Sequence, residues 1–74
     1  MPRYFFNSED RTTFIDARGT VLPDIAAARV EAIAASGEML RDAAALWDGT
    51  PWKMWVTDEA NKTLFTLNVF ATVA

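Results

Sequence analysis

The sequence predicts an α+β fold in which two β-hairpins flank one long helix (ββαββ), with the helix packed on one face of an antiparallel sheet. Two observations predict it. Aromatic and β-branched residues concentrate in four short runs, two towards each end of the chain, and polar turn residues separate the members of each pair. An alanine-rich stretch with helical periodicity lies between the pairs. The chain has 74 residues and no linker-like segment, so we expect a single domain spanning residues 1–74.

The first hairpin is predicted from residues 2–7 and 12–15, which surround a polar turn. After it, the segment Asp16–Gly19 has Asp at its first and Gly at its fourth position, the preferences of a type I turn. Residues 20–22 then lead to the helix. We expect the Asp16–Gly19 turn to be structural.

The helix is predicted to run roughly from Ile25 to Trp47. Asp24 can cap its first turn, and Gly49 can supply the left-handed residue that ends it. Apolar residues at alternating spacings of four and three share one face, which we expect to meet the sheet: Ala26, Val30, Ile33, Gly37, Leu40, Ala44 and Trp47.

A second apolar seam lies beside the first on the predicted helix. Its members are Ala28, Ala32, Ala35, Met39 and Leu46. Two explanations are open for this seam. Alanine simply favours helix while Met39 fills the edge of the core, or the seam makes a helix-to-helix contact between subunits.

The second hairpin is predicted from residues 52–57 and 63–70, around a polar loop in which Asn61 can adopt a positive φ. Large apolar side chains alternate onto both faces of the sheet, whereas one helix covers only one face. The uncovered groups need a second subunit, another protein or an exposed patch. The candidate interface residues are Phe5, Met39, Leu46, Trp55, Leu64 and Phe70.

Composition predicts self-association. The chain is 51% hydrophobic with nine aromatic residues, and it has no Cys and no His for the disulfides or metals that support other small domains. We therefore expect a homodimer. No apolar run has the length of a membrane span or the form of an export signal, which predicts a soluble cytoplasmic protein without a membrane partner. The net charge of −3 and the scattered basic residues argue against nucleic acid and suit a basic protein partner.

The residue inventory predicts a non-enzymatic protein with no catalytic, cofactor-binding or metal-binding residues. Without His or Cys the chain lacks the usual base, thiolate and soft ligand, and its glycines do not form a phosphate loop. Asp16 and Asp24 each have a local structural role. The loop around Asp58 and Glu59 offers too few oxygen ligands for calcium. Three tryptophans flank the helix-to-strand loop, where they either line a small pocket or close the end of the core: Trp47, Trp52 and Trp55.

Several segments resemble a family of short uncharacterised bacterial proteins, a domain of unknown function. They are the opening Met-Pro-Arg-Tyr-Phe-Phe, Asp16-x-x-Gly19-x-x-Leu22-Pro23-Asp24, Ala27-Ala28-Arg29-x-Glu31-Ala32 and Val56-Thr57-Asp58-Glu59. The resemblance covers the whole chain and implies no activity. The sequence departs from the family pattern at its hairpin turns, where members often have Asp-Gly, and we expect this to change loop conformation rather than fold.

The layout of a hairpin followed by a helix opening Leu-Pro-Asp is also similar to the partial RNase H-like domain of HicB-type antitoxins. That similarity implies a small acidic protein that neutralises a basic toxin. The sequence therefore predicts a noncatalytic interaction module that self-associates. The alternative is an antitoxin-like regulator of a basic protein partner.

Overall fold

The computed structural model describes residues 1–72, and these form one helix and a sheet of five antiparallel strands. The elements are β1 (Arg3–Glu9), β2 (Thr13–Phe14), β3 (Thr20–Val21), α1 (Ile25–Ala43), β4 (Trp52–Thr57) and β5 (Thr63–Val69). The strand order is β2-β1-β4-β5. The short strand β3 also pairs with β1, on the same side as β2. The predicted α+β class and antiparallel sheet are confirmed. Among the described residues, no helix has the length and apolarity needed to cross a membrane.

The predicted count of four strands is wrong, because the strand opposite β1 is split into two short pieces. β2 pairs with Ser8 and Glu9, while β3 pairs with Arg3 and Tyr4. Between these pieces, residues 15–19 leave the ladder. The segment predicted as a lead into the helix therefore contributes a strand of its own.

Helix α1 begins where it was predicted to begin and ends earlier. The Asp24 carboxylate accepts a hydrogen bond from the Ala27 amide at 2.9 Å, which satisfies one free N–H of the first turn. After Ala43 the chain makes a hydrogen-bonded turn, in which the amides of Leu46 and Trp47 both donate to the Ala43 carbonyl. Trp47 thus lies beyond the helix rather than inside it.

The predicted sheet-facing side of α1 is wrong over the first three turns, where the second apolar seam meets the sheet. Farther along, Leu40 and Trp47 of the first seam do pack against the core, whereas Met39 and Leu46 of the second are exposed. Ala28 and Ala32 have no exposed surface, and Ser36 on the same face is buried. In contrast, Val30 is 66% exposed and Ile33 is 55% exposed. The sheet supplies large side chains, so the helix approaches it closely with small ones.

The core lies between this alanine face and one face of the sheet. Its fully or nearly buried sheet members come from β1 and β4 and are Tyr4, Trp52, Met54 and Val56. Partly buried apolar side chains surround them: Phe6, Leu22, Ile25, Ala35, Leu40, Trp47, Phe65 and Val69. Helix α1 contacts β4 and β5 more than it contacts β1. It therefore lies towards the β5 side of the sheet.

Candidate interaction surface

One edge of the sheet is formed by β5, which pairs only with β4 among the described strands. The ladder runs from Trp52 opposite Val69 to Thr57 opposite Thr63, with a register irregularity at its Thr57 end. The seven residues of β5 include no charge, no proline and no glycine. Natural proteins protect such edges with lysine, proline, bulges or a covering segment. The outer side of β5 is consequently a template on which another strand can pair.

The opposite edge, the outer side of β1, is closed by a carboxylate. Asp16 lies in the gap between β2 and β3, and its Oδ2 accepts a hydrogen bond from the Phe6 amide at 3.1 Å. Its Oδ1 accepts from the amides of Arg18 and Gly19, each at 3.0 Å. One side chain therefore replaces the missing strand and also forms the predicted turn.

These hydrogen bonds set the charge state of Asp16. Burial acts to raise the pKa of this carboxyl, but the amides of Gly19, Phe6 and Arg18 outweigh it, and the nearby Arg18 charge adds to their effect. The pKa of Asp16 is therefore lowered from its ordinary value. The residue is a stable anion at neutral pH and has the opposite character from a general acid.

Asn7 connects the same segment to the sheet. Its side chain is on the face away from α1, yet Asn7 is only 3% exposed. Its Oδ1 accepts from the Asp16 amide at 3.0 Å, while its Nδ2 lies 3.4 Å from the Trp55 carbonyl oxygen and 3.5 Å from Thr57 Oγ1. Among the described residues, no buried side-chain nitrogen or oxygen is left without a partner. The polar groups of this cluster are thus engaged within the chain.

The sheet face away from α1 is mixed rather than apolar. Phe5 and Trp55 are half-buried there, on neighbouring strands. The Lys53 ammonium lies 5.3 Å from the Trp55 ring centroid and 3.8 Å from a Glu9 carboxylate oxygen. Exposed Ile15 lies beside Phe5, and Leu64 alternates with core-facing Phe65 onto the same face. The predicted uncovered face therefore carries apolar side chains among polar ones rather than a continuous apolar surface.

The six residues predicted for an interface do not form one surface. Phe5 and Trp55 lie on the open sheet face, and Leu64 lies in β5 while exposed Phe70 follows it. Met39 lies in the last turns of α1, and Leu46 lies just after the helix. Of the six, Leu64 and Phe70 are placed beside the free edge.

Sequence reasoning missed an exposed apolar surface on α1. It consists of residues first assigned to the core, and we call it the helix stripe: Ala26, Val30, Ile33, Gly37 and Ala44. A Cβ added at Gly37 would meet no atom within 4 Å. The regular spacing of these residues correctly predicts that they share one face of the helix. That face is exposed and does not contact the sheet.

A shallow groove lies between the end of α1 and the turn after β1. Its lining includes Met39, Leu40, Trp47 and Trp52. The Trp47 indole N–H donates to the Thr50 carbonyl at 3.1 Å. These two tryptophans therefore both close the end of the core and line a small groove, whereas Trp55 lies on the other sheet face.

Next to this groove, an ion pair joins the first turn to the loop after α1. The Arg11 guanidinium lies 3.2 Å from the Asp48 carboxylate. Hydrogen bonds from the Thr50 hydroxyl and amide lower the pKa of Asp48, and the Arg11 charge adds to this effect. Both partners are exposed, so we expect this pair to stabilise the fold only weakly.

The remaining acidic candidates are used in turns or caps. Asp58 accepts hydrogen bonds from the amides of Ala60 and Lys62, each at 2.9 Å, and Asn61 has the predicted positive φ, at 62°. Within residues 1–72, no three acidic side chains lie close enough together to hold a metal ion.

No curated protein and no solved structure matches the chain. A family model described as "Domain of unknown function (DUF6894)" matches residues 3–71. That span contains every strand and the helix. The chain therefore belongs to the DUF6894 family, a domain of unknown function.

Proposed function

We propose that this protein is a non-enzymatic interaction module that self-associates, and that its β5 edge pairs with β5 of a second copy. The observation that supports the proposal is the uncharged, unpaired outer side of a seven-residue strand. Antiparallel pairing of two such edges would turn exposed N–H and C=O groups into ladder hydrogen bonds. Each of these contributes about 0.5–1.5 kcal/mol net.

Charge also favours a contact between copies at this edge. The chain carries a net charge of −3, so two copies have a net electrostatic repulsion. Strand β5 has no charged residue, and the exposed side chains of Leu64 and Phe70 add apolar area beside it. The edge is therefore the part of the surface where a second copy meets little repulsion and gains hydrogen bonds.

The test is the solution mass of the chain by light scattering across a concentration series, with one matched pair of variants. Thr66→Lys places a charge at the middle of β5, while Thr20→Lys places the same charge in β3 on the closed edge; both threonines are exposed. We expect the native chain and Thr20→Lys to reach twice the 8.2 kDa chain mass. Thr66→Lys should remain at the monomer mass with an unchanged far-UV circular dichroism spectrum.

Two results would contradict the proposal. A native chain that stays at 8.2 kDa at the highest concentration would exclude self-association. A Thr66→Lys variant that dimerises as tightly as the native chain would exclude β5 as the contact. In the first case, copurification with a small basic protein would favour the antitoxin-like alternative, which stays a prediction.

A further inference from the structure

We infer that α1 packs against α1 of the second copy through the helix stripe, so that the dimer joins two layers and not only two sheet edges. The inference rests on the proposed β5 pairing and adds a helix-to-helix contact on the α1 side of the joined sheet. The stripe combines two exposed β-branched residues, Val30 and Ile33, with Ala26, Gly37 and Ala44. Its members from Ala26 to Gly37 have the alternating spacing of four and three with which helices pack against helices, and Ala44, the C-cap, continues the same face.

The handedness of the fold determines which side of α1 carries the stripe. β3 and β4 are both antiparallel to β1, so they run parallel to each other and α1 connects them as a crossover. Such crossovers are right-handed in about 98% of cases. In a right-handed crossover, the helix residues that follow each sheet-facing position turn towards β5, and those that precede it turn towards β1. Ile33 and Gly37 follow the buried residues Ala32 and Ser36. The right-handed rule therefore puts them on the β5 side.

Symmetry then brings the two helices together. Antiparallel pairing of β5 with its copy requires a two-fold axis normal to the sheet, which leaves both helices on the same face of one continuous sheet. Helix α1 contacts β4 and β5, so its axis lies over this pair of strands, between about half and one strand spacing inside β5. With strands about 4.8 Å apart, the two helix axes would be about 10–14 Å apart. The lower end of this range is the distance at which helices pack.

The distribution of charge supports the same occupant. The acidic residues of α1, Glu31, Glu38 and Asp42, fall on the flank away from the stripe and are exposed. The stripe itself has no charge, and the exposed residues Arg29 and Arg41 lie one turn before Ile33 and one turn after Gly37 in the same row. Two copies can approach through the uncharged middle of this row, whereas their acidic flanks would stay apart and in water. Gly37, which has no neighbouring side chain within the chain, would allow the two backbones to approach closely.

The first test compares two glutamate variants by sedimentation over a dilution series. Ile33→Glu places a charge in the stripe, and Ala34→Glu places the same charge on the next residue, which is also exposed but lies outside the stripe. We expect Ile33→Glu to raise the dimer Kd at least tenfold, because an unpaired carboxylate would be buried. Ala34→Glu should leave the Kd within about twofold of the native value.

The second test uses the absence of cysteine from the chain. Ile33→Cys should form a covalent dimer with a short thiol-specific crosslinker, and Glu31→Cys on the acidic flank should not. If Thr66→Lys separates the copies while Ile33→Glu and Ala34→Glu have the same Kd, and Ile33→Cys does not crosslink, the helix contact is wrong and the β5 edge stands. If the native chain is a monomer, both proposals fail together.

Discussion

The two edges of the sheet satisfy their backbone groups in different ways. Along β1, two strands of two residues each and the Asp16 carboxylate close the edge within the chain. Along β5, the described residues provide no cover over seven residues. The closed edge shows that a short chain can protect a strand with few residues when a side chain substitutes for backbone. The bare edge is therefore not a necessary result of small size.

This difference separates the consequences of substitution at the two edges. Residues of the closed edge make intramolecular contacts, so their replacement should lower the free energy of unfolding. Residues of β5 point their unused backbone groups outwards, so their replacement should change association instead. Effects on folding and on association can be told apart when the unfolding of each variant is measured at one fixed protein concentration.

The largest effect is expected for Gly19→Ala. Gly19 has a φ of 70°, and an added Cβ would lie 2.9 Å from the Tyr4 carbonyl oxygen and 2.8 Å from Arg3 Cγ. Left-handed strain and the clash with backbone should together cost about 3 kcal/mol. Urea unfolding followed by tryptophan fluorescence would measure it. A loss of unfolding free energy below about 1 kcal/mol would mean that β3 shifts away from the new methyl group and that β3 does not hold this edge closed.

Asn7→Ala should have the next largest effect. It removes the acceptor of the Asp16 amide and leaves a polar site beside buried Thr57. We expect a loss of about 2 kcal/mol in the free energy of unfolding. Asn68→Ala is the matched control, because Asn68 is an exposed asparagine in β5. Equal losses in the two variants would contradict the distinction between a closed edge and an open one.

Asp16→Asn keeps the shape of the side chain and removes its charge. Three backbone amides would lose an anionic acceptor, which should cost about 1 kcal/mol at pH 7. Because the folded pKa lies below that of the unfolded chain, the unfolded state takes up the proton first as pH falls. The stabilisation is complete above the unfolded pKa and is lost as pH falls below about 4, through the folded pKa.

The measurement is the difference in unfolding free energy between the native chain and Asp16→Asn at several pH values. The difference should shrink below about pH 4. Asp42→Asn, an exposed position on α1, is the control and should show a much smaller dependence. A difference that is constant from pH 7 to pH 3 would show that the Asp16 charge does not support the edge.

The features that the sequence predicted correctly depend on neighbouring residues. The Asp24 cap, the bounds of β4 and the positive φ of Asn61 are each set within about four positions along the chain. The split of the strand opposite β1 was not predicted, since it depends on a hydrogen bond from the Phe6 amide to Asp16, ten residues away. The strand propensities of individual residues do not predict a hydrogen bond between residues ten positions apart.

The choice of helix face failed for a related reason. Both apolar seams of α1 have helical spacing, so periodicity alone cannot say which one meets the sheet. Side-chain size decides it: Ala28 and Ala32 fit beneath the bulky residues of β1 and β4, and Val30 and Ile33 do not. Of the residues predicted for an interface, Leu64 and Phe70 lie beside the proposed β5 edge. A search for apolar residues does not detect Thr66. This residue matters because it lies in a strand whose outer N–H and C=O groups have no partner strand among the described residues.

Gly37→Ala is expected to have the smallest effect and the opposite sign. The residue lies in the middle of α1, and its new Cβ would meet no atom of residues 1–72 within 4 Å outside its neighbours and its own helical turns. Replacement of glycine within a helix should therefore raise the free energy of unfolding by up to about 1 kcal/mol. Measured in the Thr66→Lys background, this gain reports the isolated chain. In the proposed dimer the methyl group enters the contact between helices, so the gain should be smaller. An equal gain in both backgrounds would mean that α1 remains free of its copy.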